Sequence, residues 1–192
     1  MNDIGEKIVL ASIGAAIALY LKYWYDQHLE DKKVNTYRKT IIQVIEQRLI
    51  PKYKSISEDY EKLHLKIKNH KAGDGLTILI QSYSLNENDL RDIFPLEDLI
   101  KVFNKNKNNT YNEILQIEDY IKVLNRFSPE ILTKEYADEL EELYKTDASI
   151  KDKLNCKEHY ATQFETHIIY SKKIVKIYTS ILEELKQKLK HE

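Results

Sequence analysis

The sequence predicts an all-α chain: an N-terminal single transmembrane helix followed by an elongated antiparallel helical bundle with coiled-coil-like long helices. Three observations predict it. Only 4 Gly and 3 Pro occur in 192 residues, so helix breakers are scarce. Charged residues make up 32% of the chain and apolar residues 42%, a balance closer to long helices than to mixed folds. Apolar positions recur at three- and four-residue steps over much of the chain past residue 33, the period of a helix with one buried face. The length suits one domain, residues 27–192, behind an anchor of residues 1–26.

The anchor is read from "IVLASIGAAIALYL", residues 8–21, fourteen positions without a charge. Lys22-Tyr23-Trp24-Tyr25 extends the usable span to eighteen residues if Lys22 bends its amine toward the headgroups. At 1.5 Å per residue this covers about 27 Å, just short of a hydrocarbon core of about 30 Å. Lys22, Tyr23, Trp24 and Tyr25 are the expected membrane-interface residues, since amphipathic rings and lysines settle at that level. A cleavable signal starts basic, whereas residues 1–7 carry Asp3 and Glu6 against Lys7, so the segment is expected to be retained. Lys7 stands alone on one side of the span, with Lys22, Lys32, Lys33, Arg38 and Lys39 on the other. That asymmetry puts the bulk of the chain in the cytoplasm. Ala11 and Ala15, and Gly14 and Ala18, are four apart and could let two membrane helices pack closely. The competing reading is a core helix buried within the bundle.

The bundle follows in order. Val34, Tyr37, Ile41, Val44, Ile45 and Leu49 form one stripe, which resumes after Pro51 as Tyr53, Ile56, Tyr60, Leu63 and Ile67, so a long helix spans about residues 34–70 with a bend or restart at the proline. "HKAGDG" ends it. "LTILIQSYSL" reads as a buried helix, since an isolated strand would have no partner. "SLNENDLRDIFP" is a short helix closed by Pro95, and residues 96–103 form another before the polar loop "NKNKNN". Asn109 or Thr110 caps a helix with Ile114, Ile117, Ile121 and Leu124 on one face. Ser128 caps the next, with Pro129 at its first position. Residues 149–190 form the last and longest helix, with Ile150, Leu154, Ala161, Phe164, Ile168, Val175, Tyr178, Leu182, Leu185 and Leu189 in one register. It is expected to pack antiparallel along residues 34–70.

The chemistry is sparse. With 30 basic and 31 acidic residues there is no basic footprint for nucleic acid. Cys156 is the single cysteine, which excludes an internal disulfide and suits a reducing compartment. Glu61-x-x-His64 matches half of a di-metal bundle site, but no second copy exists. Cys156, His159, Gln163 and His167 share a helix face, read as a polar flank with half-exposed histidines rather than a metal site. Cys156 lacks an orienting group and an oxyanion site, and no phosphate loop is present. The chain is therefore expected not to be an enzyme and to need no cofactor or metal, with no small-molecule substrate evident.

Tyrosine, with fourteen copies, is the one enrichment. Many tyrosines fall on the apolar stripes (Tyr37, Tyr53, Tyr60, Tyr111, Tyr136 and Tyr178); Tyr144, Tyr160 and Tyr170 fall off them and are the candidates for binding a partner. The expected function is a membrane-tethered interaction or scaffold module whose cytoplasmic helices bind a protein partner or a second copy of the chain. The alternative is a membrane-active oligomer, a pore or bilayer-perturbing effector gated by the bundle; a span whose single polar residue between positions 8 and 21 is Ser12 favours the tether.

Overall fold

A computed structural model of the chain describes residues 2–70, 90, 93–103 and 108–190, and every element among them is helical. α1 (Asn2–Val44), a π-helical turn (Ile45–Leu49) and α2 (Ile50–Asn69) run on without a break. Then come α3 (Leu96–Phe103), α4 (Asn108–Arg126), α5 (Pro129–Lys145) and α6 (Ile150–Lys190). The expectations for "LTILIQSYSL", for most of "SLNENDLRDIFP" and for positions 104–107 of the polar loop lie outside the described residues. The helix runs unbroken through residues 26 and 27, where anchor and bundle were expected to meet.

The π turn answers two constraints at once. Pro51 has no N–H, and its ring would press on the carbonyl four residues back; just before it, the Ile50 N–H reaches the Ile45 carbonyl, five residues back, which widens the turn. Ile41, Ile45, Leu49 and Tyr53 are all fully buried although each is four residues from the last. On an α-helix that spacing drifts about 40° per step, and the wider turn takes up the drift. Pro51 thus neither ends the helix nor starts a separate one.

α6 is the central rod. It lies antiparallel to α2: Glu46 meets Lys186 (2.7 Å), Tyr53 stacks on Tyr178 (6.0 Å between centroids), Tyr60 meets Phe164 (6.1 Å) and Glu61 meets Lys172 (2.7 Å). The ion pairs are exposed and worth roughly 0–1 kcal/mol each, so the register rests on the rings and aliphatics between them. Tyr53, Ile56, Tyr60, Leu63 and Ile67 are all buried, as are Ile114, Ile117, Ile121 and Leu124 of α4, matching both expected faces. α4 and α5 cover the sides of α6 that α2 leaves open. Ser128 Oγ accepts a hydrogen bond from the Ile131 N–H at 3.4 Å, with Pro129 first in α5, as expected.

The phase of α6 differs from the expected register at its start. Ile150 is 78% exposed and Leu154 51%, while Cys156, Tyr160, His167 and Ile174 are buried. α6 touches α2, α4 and α5, so its buried arc is wider than a two-helix seam and admits residues to either side of it.

α5 turns into α6 through a left-handed residue, Asp147 (φ 49°). The Ala148 N–H reaches the Leu143 carbonyl (3.0 Å) and the Asp147 N–H reaches that of Tyr144 (3.3 Å), a Schellman pair that satisfies the last carbonyls of α5. Ser149 Oγ then accepts from the Asp152 N–H (3.2 Å) to cap α6. Glycine adopts this backbone without strain. Asp147→Gly is expected to raise stability by about 0.5 kcal/mol, and Asp147→Val to lower it by about 1 kcal/mol or more, measured by urea titration of the full-length chain.

Candidate functional site

Residues 13–25 of α1 have no place in the bundle. Residues 13–33 are exposed throughout, and the first position packed against the core is Val34. Ile13, Ile17, Leu19, Tyr20 and Leu21 are between 52% and 69% exposed. A core helix would bury these side chains, so the competing reading of this segment is overturned. Residues 15–21 are all alanine, isoleucine, leucine or tyrosine. At 100° per residue, seven consecutive positions ring the helix with gaps of no more than about 60°. The surface is therefore apolar on every side.

Among the described residues no helix is long and apolar enough to cross a membrane. The side chains of residues 2–12 lie outside the described part, and with them residues 8–12, where the expected span begins, and Ala11 of the expected packing stripe. The rest of that stripe, Gly14, Ala15 and Ala18, is on the exposed helix. A Cβ added at Gly14 would meet nothing within 4 Å, so none of the described helices packs there.

Lys22, Tyr23, Trp24 and Tyr25 are exposed one after another. Trp24 lies parallel to the His28 ring one turn on, centroids 5.7 Å apart. Just below, α1 and α3 enclose a cleft of about 420 Å³. Asp26, Glu30 and Lys33 line it from α1, and Asp98 and Lys101 from α3, with Lys101 Nζ 3.9 Å from Glu30 Oε1. Sequence reasoning missed this cleft: its walls are some seventy positions apart, and no local spacing announces the pairing.

The expected partner tyrosines separate. Tyr144 is exposed, with Lys153 Nζ 4.2 Å from its ring centre. Tyr170 is half-buried and stacks on Tyr120 at 5.0 Å. Tyr160 is a correction: it sits in the core, 5.4 Å from the Tyr136 ring, and its hydroxyl donates to Glu139 Oε2 at 3.0 Å. Burial and the nearby carboxylate hold that hydroxyl well above the usual tyrosine range. Tyr136, whose hydroxyl shares a 3.1 Å hydrogen bond with His70 Nδ1, is pushed up to about 12, chiefly by burial.

The polar face of α6 also rearranges. Cys156 and His167 turn inward and His159 outward, so the three do not converge. Among the described residues no group of three or more His, Cys, Asp or Glu is placed to hold a metal ion. Burial, then Glu139, pushes the Cys156 thiol up to about 11, the reverse of an activated nucleophile. His167, expected half-exposed, is 1% exposed. Its Nδ1–H donates to the Gln163 carbonyl at 2.7 Å, and its ring is 5.2 Å from that of Tyr60. The hydroxyls of Tyr60, Ser57 and Ser171 are buried along the same α2–α6 seam with no hydrogen-bond partner among the described residues. Such groups weaken a seam, because each forgoes water without full recompense.

Burial holds His167 below its ordinary pKa, with the Gln163 and Phe127 backbone working the other way. The unfolded chain therefore takes up this proton first, and the stability His167 contributes is complete above about pH 6.5 and lost as pH falls toward its folded value. Between pH 6.5 and 5.5 the unfolding free energy of the wild-type chain, from urea titration, should fall by more than that of His167→Gln, by at most about 1 kcal/mol; equal falls would show that His167 binds its proton equally well in the folded and unfolded chain. No family model, curated protein or solved structure matches this chain.

Proposed function

We propose that this chain is a single-pass, membrane-tethered helical interaction module, with residues 1–26 as its anchor and residues 27–192 held as a bundle on the cytoplasmic side. One observation carries the reading: an exposed helix that is apolar on every side and continuous with a folded bundle. A protein partner covers one stripe of a helix, and a one-sided stripe leaves a polar face. Lipid covers all of it, and a helix can stand in lipid because it satisfies its own backbone. Lys22, Tyr23, Trp24 and Tyr25 supply the boundary, and the lysines and arginine that follow supply the orientation.

The bundle supplies a site for a partner. Tyr144, Ile150 and Leu154 are exposed together around the α5–α6 turn, at the end of the rods remote from residues 13–25. These side chains are the surface by which the module would take a protein partner or a second copy of itself. A pore is not favoured, since residues 15–21 offer water no polar face.

The full-length chain should pellet with membranes, resist alkaline carbonate and be released by detergent. Ile17→Arg costs about 2.5–3.5 kcal/mol of insertion, and should move most of the chain to the supernatant; Leu154→Arg should leave membrane association intact while abolishing cross-links to the partner or second copy. A wild-type chain that stays in the supernatant without detergent would overturn the proposal, as would digestion of the bundle in sealed cells by protease added outside.

A further inference from the structure

We infer that the cleft between α1 and α3 binds the headgroup of a zwitterionic phospholipid carrying a primary amine, of the ethanolamine type. The inference rests on the membrane reading above and deepens it.

Position is the first ground. The cleft begins at Asp26, next to Tyr25, and its upper rim includes Leu29 and Glu30. At 1.5 Å per residue that rim lies about 2–8 Å beyond the aromatic cluster, within a headgroup layer of about 5–8 Å per leaflet. A rim at this depth opens into headgroups. It is formed in a rigid place: Val102 is 1% exposed, and Lys188 Nζ donates to the Phe103 carbonyl at 3.4 Å, tying α3 to the end of α6.

Charge is the second. The lining carries three carboxylates, Asp26, Glu30 and Asp98, and two ammonium groups, Lys33 and Lys101. The mixture is unlike a basic patch for anionic lipid, and the surplus carboxylate repels one. It complements a ligand that carries both signs close together. Phosphate oxygens accept from Lys33 and Lys101, while an ammonium has N–H groups to donate to the carboxylates. A choline headgroup has the charge without those N–H groups. Glu30 and Lys101, 3.9 Å apart and about half exposed, are not closed on each other by a hydrogen bond, so both are available to a ligand that separates them. Leu29, on the upper rim, gives the glycerol carbons an apolar wall.

The test uses the full-length chain in nanodiscs of equal parts phosphatidylethanolamine and phosphatidylcholine, with native mass spectrometry of the lipid retained after gentle extraction. The wild-type chain is expected to keep about one lipid, with ethanolamine over choline by about 10-fold, the worth of one charge-assisted hydrogen bond. Glu30→Gln combined with Asp98→Asn, at exposed or half-buried positions whose helicity is checked by circular dichroism, should bring that ratio back to the mixture's. Lys101→Gln should lower retention of both lipids. A wild-type ratio equal to that of the mixture, or preference for added phosphatidylserine, would overturn the inference. Vesicle flotation of the same protein separates the two readings: a chain that floats without the preference loses this inference alone, and one that fails to float loses the anchor as well.

Discussion

Two antiparallel rods of unequal length determine the rest of this structure. α6 covers residues 150–190, whereas α1, the π turn and α2 run without interruption over residues 2–69. The ring contacts Tyr53–Tyr178 and Tyr60–Phe164 fix their register, and once it is fixed α6 ends alongside the start of the Ile41–Tyr53 stripe. Everything on α1 before that point extends past its partner. The overhang is where the sequence becomes apolar on every side, so an exposed apolar helix follows from the packing of two rods some distance away.

Polar groups along the same seam qualify its strength. Aromatic and aliphatic burial holds α2 to α6, yet Ser57, Tyr60 and Ser171 place within it hydroxyls that have no partner among the described residues. Each lowers the net gain where contact is densest. The exposed Glu46–Lys186 pair and Lys157, whose Nζ donates to the His70 carbonyl, add only modest ties at the two ends of this seam.

Much of this was legible in the sequence where one helix face meets one neighbour. Tyr53 to Ile67 and Ile114 to Leu124 are such faces, and their three-four spacing maps directly onto burial. Ser128-Pro129 was legible because capping chemistry is local. α6 was not, because three neighbours surround it; no single stripe describes such a helix, and His167 and Tyr160 were assigned to its flank when they lie inside. The π turn was hidden because its cause combines Pro51 with a run of four-residue steps, each of which is unremarkable alone. The α1–α3 cleft was hidden for a simpler reason: Glu30 and Lys101 meet only through the tertiary fold.

The unbroken course of α1 through the π turn has a mechanical consequence. A protein tethered by a flexible linker is free to tumble, and nothing done to its tether reaches the folded part. Here the exposed apolar segment is part of the bundle's own first rod, stiffened by hydrogen bonds along its length. Twist or thrust applied to the exposed end of α1 would arrive at Glu46 and Tyr53 as rotation or sliding of α2 against α6, with no slack to absorb it.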